Sequence, residues 1–308
     1  MTDDRTRFVL PAAISIAILA VSTASIFIRF AQSEATPSIV IAALRLTFAS
    51  LLLTPIVLTR HADDVRKFTG TQLLFGALSG VFLAIHFATW ITSLEYTSVA
   101  SSAVFVSTGP LWVALLSPML LNERLTRFAM SGMGLALAGG VIIGLSDGCG
   151  WNGGLTCPDL RNILQGRAMW GNFLALAGAW AVTGYLIIGR KVRAGMSLIP
   201  YIFLVYGMAA LTLLVLMFVS GHTPLGYTPK SYAWIFLLAA IPQLIGHTAF
   251  NWVLKYLPAS FVAVSTLGEP VGSAILAFFI LKETPGAATL LGGILILTGI
   301  HITSRQTA

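Results

Sequence analysis

Ten apolar stretches, each about 20 residues long, follow one another along this chain with little between them. They run Phe8–Phe30, Pro37–Thr59, Gly70–Ser93, Ser98–Leu121 and Arg127–Ser146, then Ala168–Gly189, Ser197–Ser220, Ser231–Leu254, Pro258–Leu281 and Gly286–Thr303. A helix of about 20 residues crosses a hydrocarbon core of about 30 Å. Inside that core every backbone N–H and C=O must bond within the protein, so such stretches fold as helices. The sequence therefore predicts an all-α membrane protein with ten transmembrane helices. Composition agrees: 56% of residues are hydrophobic, 9% are charged, and the mean hydropathy is +0.87. A net charge of +7 would suggest nucleic acid in a soluble protein. Here it points to loops that set topology, and no nucleic-acid partner is expected. The opening "MTDDRTR" leads straight into the first stretch, which is too long for a signal peptide.

Basic residues orient the helices. Twelve Lys and Arg fall on the side of the N-terminus and five on the other, with Arg45 inside the second stretch. That bias places both termini in the cytoplasm. Both cysteines, Cys149 and Cys157, lie in the central loop, on the outer side. They form a disulfide there or remain two free thiols.

The chain also resembles itself. "LEYTSVASSAVFVSTGPLWVALLSPMLLNE" (Leu94–Glu123) aligns without gaps on "LKYLPASFVAVSTLGEPVGSAILAFFILKE" (Leu254–Glu283), an offset of 160 residues. Pro110 falls on Pro270, Glu123 on Glu283, Gly132 on Gly292 and Gly139 on Gly299. Two repeats follow, residues 1–146 and 168–308, joined by an external loop over 147–167. Five helices per repeat is an odd number, so the second repeat enters the membrane from the opposite side. Such inverted repeats place a substrate near the midplane and exchange two access states.

The proline of the fourth helix, the apolar run after it and the terminal Glu ("GPLWVALLSPMLLNERL", "EPVGSAILAFFILKETP"), with "ALRLTFA" in the second helix, resemble the EamA-type domain of the drug/metabolite transporter superfamily. Within it the chain looks most like the YddG-type amino-acid exporters of bacteria. The resemblance implies a bacterial inner-membrane transporter, not an enzyme. Ten helices would surround a central cavity lined by helices one to four and six to nine, with the fifth and tenth at the periphery. Arg45 departs from the symmetry, since its counterpart is Val205.

Ionisable residues within a span are candidates for function. Away from the span ends they are Arg45, His86, His247 and Glu269. Gln243, His247 and Asn251 recur at every fourth position and so share a helical face, as do His86 and Trp90. These residues line a cavity or bond neighbouring helices for packing. Glu269 binds a substrate ammonium, carries a proton, or pairs with Arg45 or a histidine. Glu123 and Glu283 sit at helix ends and anchor them. Arg45 attracts a substrate carboxylate, or it snorkels or bridges helices. Pro270, and Gly109 with Pro110, mark bending joints. Trp90, Trp112, Trp180, Tyr185 and Tyr206 offer apolar, cation-tolerant faces, and Ser107, Asn172 and Ser265 offer hydroxyl or amide contacts. Gly132, Ala136 and Gly140 share a face suited to a close helix contact, within the chain or between subunits.

Other chemistries lack their motifs. "GLSDG" (Gly144–Gly148) matches a nucleophile-elbow string but ends a membrane helix instead of joining strand to helix. An intramembrane serine protease would need His86 or His247 beside a serine. H-E-x-x-H and the phosphate-binding glycine loop do not occur, and neither a metal nor a cofactor is expected. Phosphorylated substrates call for several basic groups, whereas the spans hold Arg45 and no lysine. The composition fits a small zwitterion or monocation with an apolar body. The reading is amino-acid export by alternating access, with a cationic or aromatic drug exporter as the alternative and a channel or sensor as the third class. Proton coupling and oligomeric state stay open.

Overall fold

The computed structural model describes residues 4–97, 99–123, 125–146, 150–151, 155–156, 166–281 and 286–305. Cys149, Cys157, Arg124 and Glu283 lie outside them. The helices are α1 (Asp4–Ser22), α2 (Ala24–Ser33), α3 (Ser38–Arg60), α4 (Ala62–Arg66), α5 (Gly70–Ser93), α6 (Val99–Val106), α7 (Gly109–Leu120) and α8 (Arg127–Ser146). After the central loop come α9 (Gly166–Arg193), α10 (Leu198–Val219), α11 (Pro229–Leu238), a π-helical segment (Ala239–His247), α12 (Thr248–Val253), α13 (Ala259–Thr266), α14 (Gly268–Leu281) and α15 (Ala287–Ser304). The central loop carries a short antiparallel pairing, Gly150–Trp151 (β1) with Leu155–Thr156 (β2), where the sequence predicts plain loop.

Among the described residues, seven helical segments are long and apolar enough to cross a membrane. Three shorter apolar helices, Val104–Leu120, Arg127–Ile142 and Leu290–Ser304, accompany them. Large apolar side chains such as Leu51, Leu115, Leu211, Phe279 and Ile294 face outward, each more than half exposed. Water would make that costly, whereas lipid welcomes it. The chain is a multi-pass membrane protein.

Among the described residues, three of the expected spans are divided into two helices, and each break has a threonine at it. At Thr23 and at Thr108 the hydroxyl and the backbone N–H both donate to the carbonyl three residues back, Ala20 and Phe105. Thr266 Oγ1 donates to Ala263 O, and the next residue, Leu267, donates its N–H to Val264 O. Bonding three residues back tightens the turn and ends the α-helical ladder. Within continuous helices, Thr47, Ser50, Thr212 and Ser265 bond four residues back instead. The breaks also locate the prolines. Pro110 and Pro270 stand in the first turns of α7 and α14, where a missing N–H costs nothing. They start a helix and do not kink a continuous one.

The contacts divide the chain into two compact units, each drawn from both halves of the sequence. The first comprises residues 1–84 and 184–258, the second residues 85–183 and 259–308. α5 and α9 pass from one unit into the other.

In the first unit, α3 lies against α10, and α1 against the π-helical segment. The stretch Val40–Leu46 of α3 is buried on all sides. α5 reaches α10 because Gly80 has no side chain: a Cβ there would stand 2.5 Å from Val205 O and 2.7 Å from Met208 Cβ.

In the second unit, α8 and α15 cross at their glycines. A Cβ on Gly132 would stand 2.5 Å from Gly299 O, and one on Gly139 would collide with Gly292 O. Ala114, Met133, Ala136, Val264, Leu267 and Ile296 fill the core beside this crossing. The close contact is thus within the chain. Its face runs through Gly132, Ala136 and Gly139, not Gly140, because two turns of a helix advance seven residues and not eight.

Candidate functional site

The first unit holds a polar cluster deep within its spans. Arg45 sits in the first half of α3 and is 1% exposed. Its Nε donates to Gln243 Oε1 at 2.9 Å. Gln243 stands in the π-helical segment, where Pro242 lacks the N–H that an α-helical ladder needs. Tyr206 of α10 extends its hydroxyl into the same place. That hydroxyl donates to the Gln243 carbonyl at 3.4 Å, shares a hydrogen bond with Thr248 Oγ1 at 3.2 Å and meets Asn251 Nδ2 at 3.4 Å. Asn251 Nδ2 also donates to Tyr185 OH at 2.5 Å and to His247 O at 2.8 Å.

Two side-chain amide atoms of the cluster are left over. Gln243 Nε2 and Asn251 Oδ1 are buried and have no hydrogen-bond partner among the described residues. Rotating the amides does not help. Arg45 Nε can only donate, so Gln243 must turn its oxygen toward it. The His247 carbonyl can only accept, so Asn251 must turn its nitrogen there. A buried polar atom with no partner costs about 1–3 kcal/mol.

At one end of this cluster two arginines of α9 secure the chain beyond α12. Arg193, 2% exposed, donates from Nε to Asn251 O at 3.0 Å and from Nη1 to Met196 O, with its guanidinium 5.9 Å from the centre of the Tyr201 ring. Arg190 Nη1 donates to Leu254 O at 2.7 Å and Lys255 O at 3.0 Å. These groups meet carbonyls that the helix end leaves without partners. Tyr201 OH shares a hydrogen bond with Ser79 Oγ at 3.1 Å.

The second unit holds the tryptophan candidates. His86 Nδ1 lies 2.9 Å from Gly178 O. A carbonyl only accepts, so Nδ1 carries a proton there. The Trp90 ring stacks on the imidazole, 5.9 Å between centroids and 10° between planes. Trp112 meets Trp180 edge-on at 5.6 Å, and Phe173 meets Trp180 the same way at 6.3 Å. Trp112 Nε1 donates to Thr108 Oγ1 at 3.2 Å, which ties the ring to the helix break. Thr183 Oγ1 donates to Gly109 O at 3.3 Å across the same break.

Several candidates have local roles. Asn172 Oδ1 accepts from Thr97 Oγ1 at 2.8 Å, and Ser265 Oγ bonds its own helix at Phe261 O. Ser107 is half-buried at the break between α6 and α7. Glu269 is half-buried in the first turn of α14. The break puts its carboxylate at the positive end of a helix dipole, which lowers the cost of its charge. Glu123 Oε2 accepts from Ala259 N at 3.0 Å and so caps the start of α13, an anchoring contact of the expected kind.

Of the sequence-derived candidates, the structure brings together Gln243, Asn251 and Tyr206. His86 and Trp90 form a second set, and Trp112 and Trp180 a third. The spacing of Gln243, His247 and Asn251 runs through π-helical backbone where the sequence predicts α-helix. The π-helical backbone through His247 widens the turn, and Gln243 and Asn251 converge because both reach Tyr206. Sequence reasoning missed Ser79, Tyr201, Thr248, Arg190 and Arg193. For Arg193 the signal was present, a third basic residue in "GRKVR" that follows the span; its partner Asn251 is 58 residues away and gives none.

Comparison with known proteins agrees with this architecture. The EamA-like transporter family matches residues 11–145 and again 169–305. An uncharacterized transporter of Archaeoglobus fulgidus is 23% identical over 309 residues, covering 96% of each chain. The uncharacterized transporter YetK of Bacillus subtilis is 23% identical, covering 93% of this chain and 84% of its own. A protein of known crystal structure, 19% identical, superposes over 97% of both chains with a TM-score of 0.73, which shows a common fold. With the family model matching both halves, the chain belongs to the EamA-like transporter family.

Proposed function

We propose that the chain is a secondary transporter that exports amino acids or similar small amphipathic metabolites across the inner membrane by alternating access. The observation that carries this reading is the enclosed polar cluster around Arg45, Gln243, Tyr206 and Asn251. Polar groups inside a membrane are costly, and those left with unfilled hydrogen-bonding capacity mark a place where a polar cargo contributes the missing bonds. The membrane-transporter family sets the class of activity. The mix of amide, phenol and guanidinium groups in the cluster suits a small zwitterion better than a polyanion.

Ten spans in two inverted five-helix repeats, residues 1–146 and 168–308, are the arrangement proposed, with both termini in the cytoplasm. The crossing of α8 and α15 supports it. Gly132 and Gly292 are repeat counterparts, as are Gly139 and Gly299. The contacts pair Gly132 with Gly299 and Gly139 with Gly292. That exchange of partners is what a two-fold axis between repeats produces. The helix breaks at Ser107–Thr108 and at Leu267 are the proposed joints of the cycle.

Counterflow tests the reading. Purified protein in proteoliposomes, preloaded with unlabelled amino acids, is expected to accumulate labelled amino acid transiently. A second reading, export of cationic or aromatic drugs, draws on the edge-on Trp112–Trp180 pair, whose faces can hold a cation. Accumulation of a cationic dye with no amino-acid counterflow would favour it. Coupling to protons through Glu269 predicts that Glu269→Gln abolishes uphill movement and spares exchange; flux independent of pH in the parent would exclude it.

A further inference from the structure

We infer that Tyr185 and Asn251 together seat a neutral group of the cargo that both donates and accepts a hydrogen bond, so that substrates carrying a hydroxyl or a primary amide are preferred over their apolar isosteres. This inference rests on the transport reading and narrows its substrate class.

The seat is a matched donor and acceptor on two helices of the first unit. Tyr185 OH of α9 accepts from Asn251 Nδ2 of α12 at 2.5 Å. The same nitrogen donates to His247 O at 2.8 Å, and that bond fixes the amide. Asn251 Oδ1 therefore turns elsewhere. It has no donor among the described residues, although Asn251 is 0% exposed. The phenol is left in the complementary state. Its oxygen accepts from the amide, while its own O–H has no acceptor among the described residues, and Tyr185 is 2% exposed. A donor and an acceptor buried this deeply are normally filled.

The two groups select the chemistry of what fills them. An ammonium only donates, and it leaves the Tyr185 O–H without an acceptor. A carboxylate only accepts, and it sets its lone pairs against Asn251 Oδ1. A hydroxyl or a primary amide does both and bridges the pair.

Space and depth fit a cargo. Gly189 lies one turn beyond Tyr185 on α9, and an added Cβ there would stand 3.9 Å from Asn251 Oδ1 and 3.0 Å from Tyr201 OH. The glycine keeps that side of the amide oxygen clear of an α9 side chain. Tyr185 comes eight residues before Arg193 at the basic end of α9, a rise of about 12 Å. In a hydrocarbon core of about 30 Å that depth is close to the midplane, where repeat-built transporters hold their cargo. His247, whose carbonyl holds the Asn251 amide, closes the π-helical segment, a backbone form that concentrates at functional sites. The seat is enclosed in this conformation, so the cargo reaches it when the first unit opens.

The test is counterflow in proteoliposomes with threonine and valine, which differ by a hydroxyl in place of a methyl. Each is used labelled and as the unlabelled competitor of the other. For the parent protein, threonine should compete about tenfold better than valine. Tyr185→Phe removes the hydroxyl and keeps the ring. In that variant, checked for folding by a single size-exclusion peak, the threonine preference should vanish.

Equal or weaker competition by threonine in the parent overturns the inference, needs no variant to fold and leaves amino-acid export in place. A water held permanently in the seat gives that result. Movement of leucine without threonine overturns it in the same way, as does an unchanged preference in folded Tyr185→Phe. If the parent moves no amino acid, the comparison is made with phenylethanolamine and phenethylamine, which differ by a hydroxyl. A preference of about tenfold for phenylethanolamine upholds the seat and discards the amino-acid reading. Equal movement of the two amines overturns both.

Discussion

Gly132 of α8 faces the Gly299 carbonyl of α15 so closely that a Cβ on Gly132 would stand 2.5 Å from that oxygen. The residue one repeat on from Gly132 is Gly292, and it meets Gly139, the counterpart of Gly299. The repeat seen along the chain reappears as a pairwise exchange across one helix crossing. Backbones meet there because no side chain intervenes, the means by which helices associate in lipid.

That crossing yields a prediction about stability. Gly132→Val should force α8 and α15 apart and cost about 1–3 kcal/mol or more. Gly134, on the same helix, is exposed, and nothing stands within 4 Å of its added Cβ. Gly134→Ala should be neutral or stabilise by up to about 1 kcal/mol through helix propensity. Melting of the two purified variants by intrinsic tryptophan fluorescence compares them directly. Equal melting would mean that the crossing is loose.

Gly80 in the first unit is the matching test for α5 and α10. A Cβ 2.5 Å from Val205 O meets backbone, which cannot swing aside. Gly80→Ala should broaden or abolish the monodisperse peak in size-exclusion chromatography.

The threonine at each helix break predicts a kinetic effect. Thr108→Val and Thr266→Val remove the hydroxyl bonds to Phe105 O and Ala263 O and keep the volume. Stability should change by less than about 0.5–1 kcal/mol. Counterflow rates should fall in both variants, because a valine has no hydroxyl to hold the bent turn. Parental rates would remove the breaks from the transport cycle.

Tyr206→Phe isolates the hydroxyl that links Gln243, Thr248 and Asn251. Interhelical hydrogen bonds in membranes average about 0.6 kcal/mol and reach about 1.7. The variant should lose a stability in that range and remain folded, as read by chemical denaturation in detergent. A loss well above it would show that the cluster acts as one cooperative network.

His86 predicts a spectroscopic signature. Its Nδ1 faces Gly178 O at 2.9 Å, so the neutral ring should carry its proton on Nδ1. The 15N shifts of selectively labelled His86 distinguish the two tautomers, and an Nε2–H ring would contradict the geometry.

The sequence by itself determined that this is a helical membrane protein, because stretches of some 20 apolar residues leave the backbone one way to satisfy itself in lipid. It also revealed the repeat, since equal spacing of Pro110 and Pro270 and of the paired glycines is a property of the chain alone. Polar residues within spans could be named for the same reason: a span is apolar, and each exception stands out. What the sequence left open was which of them meet. Arg45 and Gln243 are 198 residues apart, and nothing local in either helix points to the other. Their pairing exists because α3 packs on α10 and on the π-helical segment. Between Gln243 and Asn251 the backbone is π-helical through His247, a form that the α-helical period does not announce. Glu269 is the sharpest case. In the sequence it is a charge inside an apolar run. In the folded chain the run breaks just before it, and the same carboxylate stands at the start of a helix, where the dipole favours it.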